Sequence, residues 1–200
     1  MNRTHVALIL AAGGSRRLGR PKQLLTIEGE TLVARAVRMA MATAPRELLV
    51  ITGDHETAIR AALSTHPVHF AHNARWRDGL ATSLQAGARA LEGNNTAVLV
   101  LVTDQIGLTV DHLHALLAAH TYDRDTVTRY GDATGVPVVL RPATLARAHE
   151  LRGDAGFRRL WNDSQAPPRE IEGSPLAFDL DTPDDLASAI ALGHLDRVES

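Results

Sequence analysis

The sequence predicts an α/β fold built on a mostly parallel central sheet with helices on both faces. Three observations carry that prediction. Short apolar runs alternate with segments of helical periodicity along the chain. The runs are apolar at successive positions rather than at every second one, the pattern of strands covered on both faces. A loop rich in Gly and Arg directly follows the first run, and open α/β sheets take ligands outside the carboxyl ends of their strands.

The elements follow in order. Residues 5–10 form the first apolar run, read as a buried strand. Residues 31–44 carry Leu32, Val33, Ala36, Val37 and Ala40 at helical spacing, with Thr31 placed to cap the helix. Residues 47–52 give a second strand, 55–63 a helix and 67–71 a short strand. Residues 79–91 read as helix, and 97–103 (Ala-Val-Leu-Val-Leu-Val-Thr) form the most uniform strand pattern. Residues 110–120 are helical again. After about residue 122 the rhythm loosens. A strand is expected at 136–140, with helices at 142–149 and 155–161. Pro167 and Pro168 break the chain, and a short strand near 176–180 and a closing helix at 183–192 follow.

Composition narrows the function classes. Two hundred residues suit one domain that buries a core without staples. Hydrophobic residues make up 44% and charged residues 22%, so the chain is an ordinary water-soluble type. A net charge of −2 argues against bulk attraction to nucleic acid or a membrane surface. An anionic ligand would need a local positive site. Cysteine is absent, which excludes disulfides, thiolate zinc sites and a cysteine nucleophile, and fits a cytoplasmic location. The run 6–12 is too short to span a bilayer and is not read as a signal peptide. The ten histidines form no H-E-x-x-H pattern, and His112 and His114 do not share a helix face.

The loop from Ala11 to Lys22 carries the first chemical signal. Leu10, Ala11, Ala12, Gly13, Gly14 and Ser15 are mostly small, which lets backbone N–H groups approach phosphate oxygens. Arg16, Arg17, Arg20 and Lys22 add four positive charges within seven residues, suited to charge-assisted hydrogen bonds. The glycine spacing does not supply the G-x-G-x-x-G of a dinucleotide-binding turn. Gly14 and Gly19 have the separation of a G-x-x-x-x-G-K-[ST] loop, but Arg20 and Pro21 stand where Lys and Ser or Thr belong.

Two acidic features are candidates for a metal. Asp104 ends the 97–103 strand, on the same sheet edge as the loop, and reads either as a Mg²⁺ ligand or as a cap before the next helix. The segment Asp179-Leu180-Asp181-Thr182-Pro183-Asp184-Asp185 is the second. Asp184 and Asp185 suit the N-terminus of the closing helix, which Thr182 or Asp181 would cap. Asp179 and Asp181 are less well explained by that helix and share one face if extended. Asp181 is the preferred ligand and Asp179 the second choice.

These segments together resemble the MobA-like NTP transferases. The loop is similar to their L-A-A-G-x-S-x-R-[ML]-G-x-x-K signature, with Arg17 at the motif Arg and Lys22 at the motif Lys. Asn73-Ala74-Arg75-Trp76-Arg77-Asp78-Gly79-Leu80-Ala81-Thr82-Ser83 resembles the N-x-x-W-x-x-G-[ML]-x-x-S segment of the molybdenum cofactor cytidylyltransferase branch. Gly131 to Pro137 resembles a Gly-rich segment ending in G-x-P, and Gly153-Asp154-Ala155-Gly156 a G-D-x-G segment. The acidic segment resembles a D-x-D-T-P-x-D-L ending. Five motifs in one order are more specific than any single one.

The resemblance implies a three-layer αβα sandwich of the Rossmann-like, nucleotide-diphospho-sugar transferase (GT-A-like) kind. A single domain over 1–200 would hold the nucleotide in its first part, to about residue 121, and the acceptor in the rest. Nucleotide contacts would come from Leu10 to Ser15, Arg17, Lys22, Asn73, Gly79 and Ser83; catalytic contacts from Arg17, Lys22 and Asp104; Mg²⁺ ligation from Asp104 and Asp181. The implied reaction joins a nucleoside triphosphate, CTP by preference, to a phosphorylated pterin cofactor, releasing pyrophosphate. Ala12 favours CTP, because guanylyl-transferring relatives tend to have L-A-G-G. Two departures stand out. Ile106 replaces the usual Pro after Asp104-Gln105, and Val136 replaces the His or Asn that many relatives have before the motif Pro. The second removes a polar group from the expected acceptor side. It leaves open a GTP-using enzyme, a different phosphorylated acceptor, or a chaperone that delivers the cofactor to a molybdoenzyme client without turnover.

Overall fold

The protein is described by a computed structural model over residues 4–162, 166–173 and 180–197. Strand β1 (His5–Leu10) is buried at all six positions. After it come the short strands β2 (Thr26–Ile27) and β3 (Glu30–Thr31), which pair as a hairpin. Helix α1 (Leu32–Ala42) starts at Thr31, whose hydroxyl accepts from the Ala34 N–H. Strand β4 (Glu47–Thr52), helix α2 (Glu56–Ala62) and strand β5 (His69–His72) follow. Helix α3 (Leu80–Ala90), strand β6 (Ala97–Val102) and helix α4 (Val110–Ala119) complete the regular alternation. The remaining elements are β7 (Thr126–Tyr130), β8 (Ala133–Leu140), α5 (Pro142–Ala146), α6 (Arg158–Asn162), β9 (Arg169–Glu172) and α7 (Pro183–Ala191).

Seven strands form one sheet in the order β5-β4-β1-β6-β8-β7-β9. β8 runs antiparallel to both of its neighbours, and the other pairings are parallel. From β1 the chain moves outward through β4 and β5, then returns to β6 on the opposite side. That reversal opens a crevice at the carboxyl ends of β1 and β6. Register makes those ends level, since Leu10 lies beside both Ile51 and Val102.

Alternation along the strands divides the core into two layers. Val6, Leu8 and Leu10 pack with Ala81 and Leu84 of α3 and with Leu145, Phe157 and Leu160. Ala7, Ile9 and Ala11 pack on the other face with Val33 and Val37 of α1, Ile59 of α2 and Leu113 and Leu116 of α4. The result is the three-layer αβα sandwich. A third cluster joins Leu186 and Ala189 of α7 to Leu18, Leu25 and Leu32, so the last helix braces the end of the glycine loop.

Several expectations need correction. The 67–71 strand lies at His69–His72. The helix expected over 142–149 ends at Ala146 and continues as a 3-10 turn from Arg147 to Glu150. The helix expected over 155–161 starts only at Arg158. β8 begins at Ala133, three residues before the expected start. β7 and β9 were not expected; Arg129 and Glu170, Glu172 interrupt any apolar run, and these charges pair across the two strands. The strand expected near 176–180 lies almost wholly outside the described residues, and Leu180 itself is not in a strand. Among the described residues no helix is long and apolar enough to cross a membrane.

Candidate active site

The glycine loop leaves β1 and is held from beneath by Gln23. This side chain is 2% exposed, and its Nε2 donates to the carbonyls of Gly13 (2.6 Å) and Ala11 (3.2 Å). Carbonyl oxygens are thereby turned inward and satisfied. Ser15 sits at a positive φ of 46°, and its hydroxyl accepts from the Lys22 N–H at 3.1 Å. Gly14 is required by space: a β-carbon there would lie 2.6 Å from the Trp76 ring and 2.7 Å from the Asp54 carboxylate. The loop therefore folds over as a tight cover with Trp76 against its back. Arg16 and Arg77 lie over that ring at 5.3 and 4.4 Å from its centre.

Lys22 reaches across the crevice. Its Nζ donates to Asp104 Oδ2 at 2.5 Å and to Asp181 Oδ1 at 3.4 Å. Arg17 donates to the other Asp181 oxygen at 2.5 Å. Burial pulls the Lys22 ammonium down, but Asp104 and then Asp181, each by charge and hydrogen bond, together outweigh it and raise the group above the usual lysine range. Two chain segments, 82 and 159 residues from Lys22, thus converge on its ammonium.

Local structure explains why both carboxylates face the crevice. α4 is capped by Thr109, whose hydroxyl accepts from His112 N, so Asp104 does not serve as that cap. α7 is capped by Thr182 in a reciprocal box with Asp185, whose carboxylate also accepts from the Asp181 N–H. Hydrogen bonds from Thr182 and from the backbone lower the Asp185 pKa. Asp185 therefore belongs to the helix start, and the Asp181 side chain is directed to Lys22. Asp179 lies outside the described residues.

The crevice is a cleft of about 500 Å³. Leu10, Ala12, Gly13, Gly14 and Ser15 line it with Arg17, Lys22, Gly79, Ser83, Asp104 and Asp181. Two of the expected nucleotide residues are placed elsewhere. Ala11 is in the core beneath the sheet, because successive residues of the strand extension face opposite layers. Asn73 is 2% exposed and lies behind the wall. Its Nδ2 donates to Thr82 and Ser83 hydroxyls and its Oδ1 accepts from Arg75 N, which fixes the Trp76 turn to the start of α3. Ser83 accepts from Asn73, which leaves its O–H to donate. Gly79 has φ 100°, and a β-carbon there would lie 2.4 Å from the Gly153 carbonyl. The close approach it permits is to the chain's own 153–156 segment, with Leu80 N–H donating to Asp154 at 3.3 Å.

Neither Gln23 nor Asp54, whose carboxylate lies beside Gly14, carries a signal in the sequence pattern. His112 is structural: its Nε2 shares a hydrogen bond of 2.8 Å with Thr128, and burial lowers its pKa.

Known proteins align with this arrangement. Nicotine blue oxidoreductase of Paenarthrobacter nicotinovorans is 33% identical over 76% of this chain and 71% of its own. Purine catabolism protein PucB of Bacillus subtilis is 28% identical over 90% and 93%. The molybdenum cofactor cytidylyltransferase of Escherichia coli is 24% identical over 91% and 93%. Among solved structures, the homologue of Mycobacterium tuberculosis Rv0371c from Mycobacterium sp. strain JC1 superposes with a TM-score of 0.81. It is 26% identical, with 94% of this chain and 96% of that one covered. A nucleotidyl transferase from Methanothermobacter thermautotroptrophicus shares the fold at a TM-score of 0.79, with 20% identity over 95% and 97%. The MobA-like NTP transferase domain matches residues 7–168. That span runs from within β1 to the residue before β9 and takes in the glycine loop, Asp104 and the start of α3, so the chain belongs to the MobA-like NTP transferase family.

Proposed function

We propose that the chain is a Mg²⁺-dependent nucleotidyltransferase that joins a nucleoside triphosphate to a phosphorylated acceptor and releases pyrophosphate. The observation that carries this is the Lys22 ammonium, held by Asp104 and Asp181 under the mouth of the glycine loop. Two carboxylates close enough to share one cation are a fitting pair for Mg²⁺, which takes one or two carboxylates and completes its shell with phosphate oxygens and water. No three His, Cys, Asp or Glu side chains cluster for a metal among the described residues, so substrate oxygens would complete the set.

Asp104 and Asp181 would hold the ion, which would supply charge neutralisation at the reacting phosphates. Lys22, freed from the carboxylates, turns to the triphosphate. Arg17, 72% exposed at the rim, follows the same anion. Backbone N–H groups of the loop receive phosphate oxygens at short range. An acceptor phosphate oxygen attacks the α-phosphorus, the bond to the β-phosphate oxygen breaks, and pyrophosphate leaves with that electron pair. The acceptor is already anionic, so no strong general base is needed. Alignment and charge stabilisation carry the rate.

CTP is the donor in this reading, supported by Ala12 on the cleft wall and by the cytidylyl transfer named for the E. coli relative. Molybdopterin cofactor is the acceptor that the same relative suggests. Delivery to a molybdoenzyme client without turnover is the non-catalytic variant. One observation favours a different acceptor: the pocket next to the cleft, where Val136 sits, is apolar. The test is pyrophosphate release with Mg²⁺, each nucleoside triphosphate and molybdopterin. Faster release from CTP than from GTP is expected. A GTP preference overturns the donor, and tight pterin binding without release from any donor overturns transfer in favour of delivery.

A further inference from the structure

A second pocket of about 220 Å³ opens beside the nucleotide cleft. Leu10, Leu80 and Val102 belong to both walls, and Val102 lies two residues before Asp104. The two spaces therefore adjoin at the end of β6, where the reaction is placed. Beyond the shared residues the pocket is walled by Leu84, Val136, Val138, Phe157 and Trp161.

Polar groups are scarce in this wall. Thr134 and Arg158 supply its polar side chains. The Val136 carbonyl is consumed outside it, accepting from Tyr130 Oη and Gln105 Nε2, both at 2.5 Å. Neither of those partners lines the pocket. Leu80 is 39% exposed at the junction, an apolar surface that an occupant would cover. A cavity of ~150 Å³ lined by such side chains holds a benzene ring, so this one has room for one or two fused rings.

We infer that this pocket holds an apolar ring, aryl or alicyclic, belonging to the acceptor, with the acceptor phosphate directed at Asp104. The inference rests on the nucleotidyl-transfer reading for the phosphate alone; ring binding is tested apart from it. A heteroaromatic ring with many edge donors and acceptors, such as a pterin, would leave several of them unpaired here, at a cost for each. A hydrocarbon ring leaves none. The wall thus selects by what it lacks, and Val136 is a specificity-determining position.

Two probes that differ in the ring test this: 1-naphthyl phosphate and glycerol phosphate, titrated calorimetrically without nucleotide. The wild-type protein should bind naphthyl phosphate at least about tenfold more tightly, the scale of apolar-pocket discrimination. Val136→Asn, which puts a polar group into the wall, and Val136→Phe, which fills it, should both erase that gap. Unchanged MgCTP affinity and circular dichroism would show that the fold is intact. Equal affinities in the wild type, or a gap that survives both substitutions, overturns the inference. Pyrophosphate release from MgCTP is measured in parallel. Release without ring preference overturns the ring pocket and keeps transfer; ring preference without release keeps the pocket and overturns transfer.

Discussion

The two ends of the cleft are built from opposite materials. At the β1 end, Arg17 and Lys22 of the tight glycine loop pair with the carboxylates of Asp104 and Asp181. At the β8 end, a few steps along the same sheet edge, the wall is Leu, Val, Phe and Trp. The difference assigns the work. Charge that is paired in the free protein can be exchanged for metal and phosphate, so in the proposed reaction the β1 end would set the chemistry. An apolar wall does nothing to a phosphate, so in the proposed reaction the β8 end would select the acceptor.

That division makes ordered predictions. Lys22→Ala should lower kcat/KM with every acceptor by about a hundredfold or more, as expected for a lost transition-state donor. A loss confined to one acceptor would merge the two ends. Val136→Asn should leave kcat/KM for a polar acceptor nearly unchanged and lower it about tenfold for an aryl phosphate. Gly79→Ala lies at the junction. It forces a side chain into a positive φ and against Gly153, so unfolding stability measured in urea should fall by about 1–3 kcal/mol. Gln23→Ala strips the glycine loop of two buried hydrogen bonds and should lower stability by about 1–3 kcal/mol, with weaker CTP binding. Arg17→Ala removes an exposed ion pair and should change stability by no more than about 1 kcal/mol while raising KM for the nucleotide.

The same contrast governs what could be read from sequence. β1, β4 and β6 are covered on both faces and appear as unbroken apolar runs, so the parallel half of the sheet was legible. β7 and β9 carry charges that pair across their outer face, which hides them. Lys22, Asp104 and Asp181 were singled out one by one from residue type and motif. Their meeting on one ammonium depends on β1 and β6 being level neighbours. Gln23 left no trace because its role is to satisfy carbonyls that only the folded loop turns inward. The apolar pocket was legible at Val136 alone. Its other walls come from β1, α3, β6, β8 and the start of α6, which no local pattern connects.

The Lys22, Asp104 and Asp181 cleft is proposed to transfer a nucleotidyl group. The most direct test is pyrophosphate release from CTP and Mg²⁺ with a phosphorylated acceptor, comparing the wild type with Asp104→Asn, which keeps shape and removes charge. A loss of at least about a hundredfold with the fold intact is expected. Release by Asp104→Asn at the wild-type rate would contradict it.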